Sequence, residues 1–166
     1  MTLTFDFAIE ADIAALTALH SAVAGHMTRG FGDGPWSTSA SEASVRRGVT
    51  TSKVIVARDA TGIAGTLRLT PRKPLSIDRT CFSRVDKPLY LVDMAVRPSL
   101  QRSGVGRSLL DEAVRLATGW GAHALRLDAY DAPAGAGAFY AKCGFTEAGR
   151  AIYRTVPLVY YERLLA

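Results

Sequence analysis

Cysteine is scarce in this chain of 166 residues: Cys81 and Cys143 stand far apart and in no Cys-x-x-Cys spacing. That excludes a disulfide framework and a cysteine-built zinc site, and it points to a reducing, cytoplasmic setting. Histidine is no richer. His20, His26 and His123 share no ligand spacing, so no metal is expected. No apolar run approaches the roughly 18 residues that cross a bilayer, and no membrane association is expected. Basic residues are missing before Arg29 while Asp6, Glu10 and Asp12 precede it, which is unlike a leader with a basic start. Lysine and arginine together number 20 against 15 acidic residues, for a net charge of +5. They form no stripe interleaved with aromatics, so nucleic acid is not an expected partner. A small phosphorylated molecule accounts for the surplus as well.

What is present is a composition with 48% apolar and 21% charged residues, as in a globular protein with a core to bury. The length fits one domain, residues 1–166, with no internal linker. Alternation predicts a first strand over 3–9. Asp12 is then placed to cap a helix whose apolar positions Ile13, Leu16, Leu19, Ala22 and Val23 run to Gly25. The glycine-rich stretch 28–38, with Phe31 and Trp36, reads as a loop, and a second helix is predicted from Ser41 to Val49. Strands over 53–58 and 63–69 form an antiparallel hairpin around Asp59-Ala60-Thr61-Gly62. Residues 71–88 show no periodicity, which is long for a structureless connection and marks the segment as functional or as hiding a short element.

Residues 89–118 hold the pattern that organises the rest. Leu89–Val96 is apolar with a single charge, Asp93, as in a strand covered on both faces. Arg97 and Pro98 stop it. Gln101-Arg102-Ser103-Gly104-Val105-Gly106 then supplies two glycines immediately before a helix with Leu109, Leu110, Ala113, Val114 and Ala117 on one face. A helix start of this kind presents unpaired N–H groups to a phosphate. Downstream come a strand over 124–130, a turn over 131–137 and a short helix over 138–143 ending at Gly144. Two further strands, over 147–153 and 158–163, are separated by Pro157. The order is β-α-α-β-β-β-α-β-α-β-β. It implies an α/β fold with about seven strands, mostly antiparallel around a central parallel pair, and about four helices.

Met94-Ala95-Val96-Arg97-Pro98, the Q-x-x-G-x-G loop at 101–106 and Phe139-Tyr140…Gly144-Phe145 together resemble the GNAT superfamily of N-acetyltransferases. The loop lacks the Gly-Lys-Ser/Thr ending of a Walker loop and is not the GxGxxG dinucleotide fingerprint. The resemblance implies acetyl-CoA as cosubstrate. Gln101, Arg102, Ser103, Gly104, Val105, Gly106 and Arg107 would cradle its pyrophosphate, and a main-chain N–H among Met94, Ala95 and Val96 would polarise the thioester carbonyl. It also implies that Tyr140 protonates the departing thiolate. Asp93 is the first candidate for the base, because burial in an apolar strand would raise its pKa. Asp128 and Asp131 read as turn and cap residues, and Cys143 lacks a histidine partner for nucleophilic work. Pro133 replaces an asparagine that contacts coenzyme A in many members of the family.

The expected activity is therefore transfer of an acetyl group to a primary amine of a small molecule or peptide, directly, in a ternary complex. A non-catalytic acyl-CoA-binding module is the alternative, and a homodimer is an admissible assembly. Aromatics at Phe31, Trp36, Tyr153, Tyr160 and Tyr161 are candidates to line the acceptor site.

Overall fold

The computed structural model describes residues 1–166. Strand β1 (Thr4–Phe7) is followed by helices α1 (Ile13–Phe31) and α2 (Glu42–Thr51), then by strands β2 (Lys53–Asp59), β3 (Gly62–Thr70) and β4 (Pro88–Val96). Helix α3 (Val105–Gly119), strand β5 (Ala124–Tyr130), helix α4 (Gly137–Lys142) and strands β6 (Thr146–Tyr153) and β7 (Val156–Leu164) complete the chain. The seven strands form one sheet in the order β1-β2-β3-β4-β5-β7-β6. β4 and β5 run parallel, while β1 with β2, β2 with β3, β5 with β7 and β6 with β7 run antiparallel. This is the mixed α/β class and the element order expected from the sequence.

Three local expectations are corrected. Helix α1 does not end at Gly25 but continues to Phe31, and the terminator is Gly32, at φ 80, whose N–H donates to Thr28 O at 2.8 Å. An internal glycine weakens a helix by about 1 kcal/mol, which packing can override, whereas a left-handed cap requires a residue without a Cβ. Asp12 stands at the start of α1 but makes no side-chain cap. Its carboxylate instead accepts from Ile9 N at 2.9 Å and takes both guanidinium nitrogens of Arg58, at 3.0 and 2.8 Å. Nor does Pro157 separate the last two strands. It lies inside β7 opposite Ile152, and the turn is made by Arg154 and Thr155 at φ 46 and 70. Two consecutive left-handed residues are what a tight hairpin demands, and the first positions of a strand tolerate proline.

The chain packs as two compact units, residues 1–69 with 92–113 and residues 70–91 with 114–166. In the first, Ile13 and Leu16 of α1, Val45 of α2 and Val56 of β2 form a buried cluster. Arg97, just after β4, ties down the β2–β3 hairpin by donating to Asp59, Thr61 and Ile63 O. In the second, Ile77, Phe82, Tyr90, Leu158 and Tyr160 form the cluster.

Segment 71–88 is thereby resolved as a strap laid on one face of the second unit. It holds two short turns, one closed by Ile77 N on Pro74 O and one at Arg79–Cys81, and side chains fix much of the rest. Tyr160 donates to Ser76 O and accepts from Asp78 N, and Arg126 donates to Ser83 O. Arg126 is itself buried and paired with buried Glu162 at 2.9 Å, with its guanidinium 4.9 Å from the Phe82 ring centroid. The missing periodicity has a physical reason: main-chain groups held by side chains need neither a helical nor a strand repeat.

Candidate active site

The donor loop grows out of the packing of the first unit. Val105, Leu109, Leu110 and Ala113 of α3 are fully buried, which seats the helix. At Gly65 of β3 an added Cβ would stand 2.8 Å from Leu109 Cδ1, 3.1 Å from Ala95 O and 3.3 Å from Val105 Cγ1. Strand and helix are therefore in close contact through a residue with no side chain. The chain leaves β4 through a short turn at Pro98–Leu100, and Gln101 Nε2 reaches back to Val96 O at 3.3 Å. Arg102 and Gly104 then take left-handed angles, φ 62 and 95. Ser108 N donates to Gly104 O at 3.0 Å. Gln101 N and Ser103 N are bonded to Pro98 O and Leu100 O, and the amides of residues 104–107 belong to the open first turn of α3 and carry its partial positive charge.

Gln101, Arg102, Ser103, Gly104 and Arg107 are all exposed, Gly106 is half-buried, and no acidic residue lies between Arg97 and Leu110. A helix start preceded by two left-handed residues and flanked by two exposed cations is suited to a pyrophosphate. The residues present fit the group that the sequence motif implies.

Just before the loop, Ala95 is buried and Met94 and Val96 are half-buried. Asp93 departs from expectation. Its carboxylate is not buried in the apolar strand: the side chain is 56% exposed and pairs with Arg68 Nε at 3.0 Å. The reason is its backbone, which at φ 54 breaks the alternation of β4 and turns the side chain out of the covered face. The desolvation on which its candidacy rested is absent. Asp93 shares a small cavity with Arg68, Leu16, Ser44, Gly48 and His20. Burial holds the His20 imidazole below its ordinary value, and the Asp93 charge partly offsets this.

Tyr140 sits in the second unit. It is buried, with ring centroids 5.3 Å from Phe139, 5.8 Å from Phe145 and 6.3 Å from Tyr161. Burial pushes its phenol well above the usual value, with the charges of Asp128 and Cys143 adding to the shift. The hydroxyl is therefore neutral at working pH. Its backbone is pinned: Phe145 N donates to Tyr140 O at 3.1 Å, and Gly144 at φ 87 lets the chain turn. Tyr160 and Tyr161, offered by the sequence as acceptor-lining aromatics, are both buried, whereas Phe31 is 52% exposed.

One residue that the sequence places near a possible acceptor reads as a turn or cap residue. Asp128 is no turn residue but lies inside β5, opposite Tyr160 of β7. It is half-buried, and Ser76 of the strap donates to its Oδ2. Burial raises its pKa, and the Ser76 hydrogen bond partly counters the rise. Its position on one face with Arg126 and Tyr130 was legible from period-two alternation. That the strap covers this face was not.

The model of the Acetyltransferase (GNAT) family matches residues 23–145 of this sequence. The chain belongs to that family. No curated protein matches it. Among solved structures, the ribosomal-protein-S18-alanine N-acetyltransferase of Escherichia coli is similar at 17% identity and TM-score 0.74, covering 99% of this chain and 95% of its own. Salmonella typhimurium yncA, solved with its cofactor acetyl-CoA, is similar at 19% identity and TM-score 0.71, covering 100% and 95%. A GNAT-family acetyltransferase of Streptococcus pneumoniae is similar at 21% and 0.72, covering 99% and 100%. At these identities the likeness to the solved structures is one of fold.

This GNAT acetyltransferase thus has its motif residues on three platforms: the end of β4, the start of α3, and α4 with its aromatic neighbours. No cluster of histidine, cysteine and carboxylate residues that could hold a metal is found in it.

Proposed function

We propose that this enzyme transfers the acetyl group of acetyl-CoA directly to a primary amine of a small molecule or peptide, within a ternary complex. The observation that carries the reading is the loop at Arg102–Gly104, where left-handed backbone opens directly onto the exposed start of α3. Enzymes of this family use acetyl-CoA, and the loop amides with Arg102 and Arg107 would hold its pyrophosphate. A main-chain N–H among Met94, Ala95 and Val96 would stabilise negative charge on the carbonyl oxygen as the amine attacks. Once the ammonium has given up one proton, the neutral amine attacks: the C–N bond forms, the C–S bond breaks, and the leaving sulfur takes its proton from the Tyr140 hydroxyl. The second proton shed by the nitrogen as the amide forms passes to solvent, from which Tyr140 recovers one. Asp93, exposed and paired with Arg68, would take part only through water.

Both cysteines are free, Cys143 buried and Cys81 half-buried, and no helix is long and apolar enough to cross a membrane. The free thiols support a cytoplasmic location. The test is to mix the protein with acetyl-CoA and a panel of primary amines and follow free thiol. Release with at least one amine is expected. Tight acetyl-CoA binding with no thiol released by any amine would overturn the reading in favour of a non-catalytic binding module.

A further inference from the structure

An isolated ionised carboxylate away from water is costly, and proteins normally place a cation or several donors beside it. Three other buried or half-buried carboxylates of this chain follow the rule. Asp12 takes Arg58, Asp59 takes Arg97, and Glu162 takes Arg126. Asp128 does not. Its one hydrogen bond is from the neutral Ser76 hydroxyl to Oδ2, and no arginine or lysine pairs with it. The groups facing it are phenols: Tyr130 on its own strand, Tyr160 opposite it on β7, and Tyr140 on α4, all three held high by burial with the Asp128 charge contributing. The nearest cation on its face of β5 is Arg126, already committed to Glu162 and Ser83 O. On the strap, Asp78 accepts from Thr80, and Lys73 donates to Pro74 O and Ile77 O.

We propose that the missing cation is the acceptor's own ammonium group: Asp128, oriented by Ser76, binds it and takes its proton. The inference rests on the reading of the protein as an N-acetyltransferase and supplies the base that Asp93 does not. The carboxylate accepts one proton from R–NH3+, leaving a neutral amine to attack. After the C–S bond breaks, that proton passes to solvent. A carboxyl whose affinity for protons is raised by burial is better matched to this task at neutral pH than an exposed one. The tyrosine rings around it suit an organic cation. Ser76 is a positioning residue, and through it the strap becomes part of the acceptor site.

The test uses Asp128→Asn, which keeps the shape and can still accept from Ser76, and Ser76→Ala. With an amine that the wild type acetylates, Asp128→Asn is expected to lower kcat/KM by about 100-fold or more. It should also abolish the acidic limb of the pH profile while leaving acetyl-CoA affinity unchanged. Ser76→Ala is expected to move that limb to higher pH, because the hydroxyl favours the ionised form. This variant carries the test if the first does not fold. An Asp128→Asn enzyme with its rate and acidic limb intact overturns the proposal and leaves the acetyltransferase reading standing. Should the wild type acetylate no amine, that reading falls. Calorimetry with the same primary amines then decides this one: weaker binding to Asp128→Asn supports the ammonium site, and equal binding refutes it.

Discussion

Gly65 of β3 and Leu109 of α3 approach so closely that a single methyl group on Gly65 would stand 2.8 Å from Leu109 Cδ1. That contact sets how near the helix lies to the strand, and so where the open start of α3 is presented. Gly65→Ala should therefore cost about 1–3 kcal/mol of stability, the usual penalty for overpacking, and should weaken acetyl-CoA binding as the helix is pushed outward. Chemical denaturation and calorimetry check the two effects. Unchanged stability would show that Leu109 can move aside freely.

Gly104 makes the complementary experiment. An added Cβ there meets nothing within 4 Å, yet the residue sits at φ 95. Gly104→Ala thus tests backbone geometry without a clash, at a conformational cost of about 1–2 kcal/mol. Weaker acetyl-CoA binding with the fold retained is expected. An unchanged dissociation constant would remove the loop's geometry from the binding argument.

Removing the hydroxyl of Tyr140 leaves its ring among Phe139, Phe145 and Tyr161. Tyr140→Phe should fold normally and lose about 100-fold in kcat, the low end for a general acid, with KM for acetyl-CoA little changed. A full rate at saturating substrates would take Tyr140 out of the mechanism.

Asp12 and Asp128 should give opposite pH dependences of stability. The Arg58 hydrogen bonds, aided by that of Ile9 N, hold Asp12 below its ordinary value. Its contribution is present above the unfolded carboxylate pKa of about 3.9 and is lost as pH falls through the folded value. Asp128 is raised by burial. The folded chain then binds the proton more tightly than the unfolded one, so stability is greatest below about 3.9 and declines as pH rises through the folded value. Denaturation midpoints should show Asp12→Asn less stable than wild type at pH 7 and Asp128→Asn more stable. Both differences should shrink toward acid pH. A neutral-pH loss for Asp128→Asn would mean that its carboxylate is compensated after all.

The buried pair of Arg126 and Glu162 fastens the strap to β5 and β7. Glu162→Ala strands a buried guanidinium and should cost about 3–5 kcal/mol, with the loss read by chemical denaturation. A cost below about 1 kcal/mol would mean that water reaches Arg126 freely.

The element order, the sheet class and the strand–glycine loop–helix unit were legible because each rests on short-range regularities: period-two strands, a 3.6-residue helix face, and glycines next to a helix start. Boundaries were misjudged where a local signal competed with packing. Gly25 reads as a stop yet lies inside α1, and Pro157 reads as a break yet is paired within β7. Residues 71–88 were opaque because side chains far away in sequence, Tyr160, Arg126, Asp128 and Glu162, hold them in place.

By itself the sequence determined the family, since the strand, glycine loop and helix start that mark it are encoded within a few consecutive residues. Only the tertiary structure decided which carboxylate is exposed and which is covered. Asp93, the lone charge of an apolar strand, is turned into solvent by one left-handed backbone angle. Asp128, in an ordinary alternating strand, is desolvated by a strap that arrives from about fifty residues earlier. Burial is a property of what covers a residue, and no local pattern contains it.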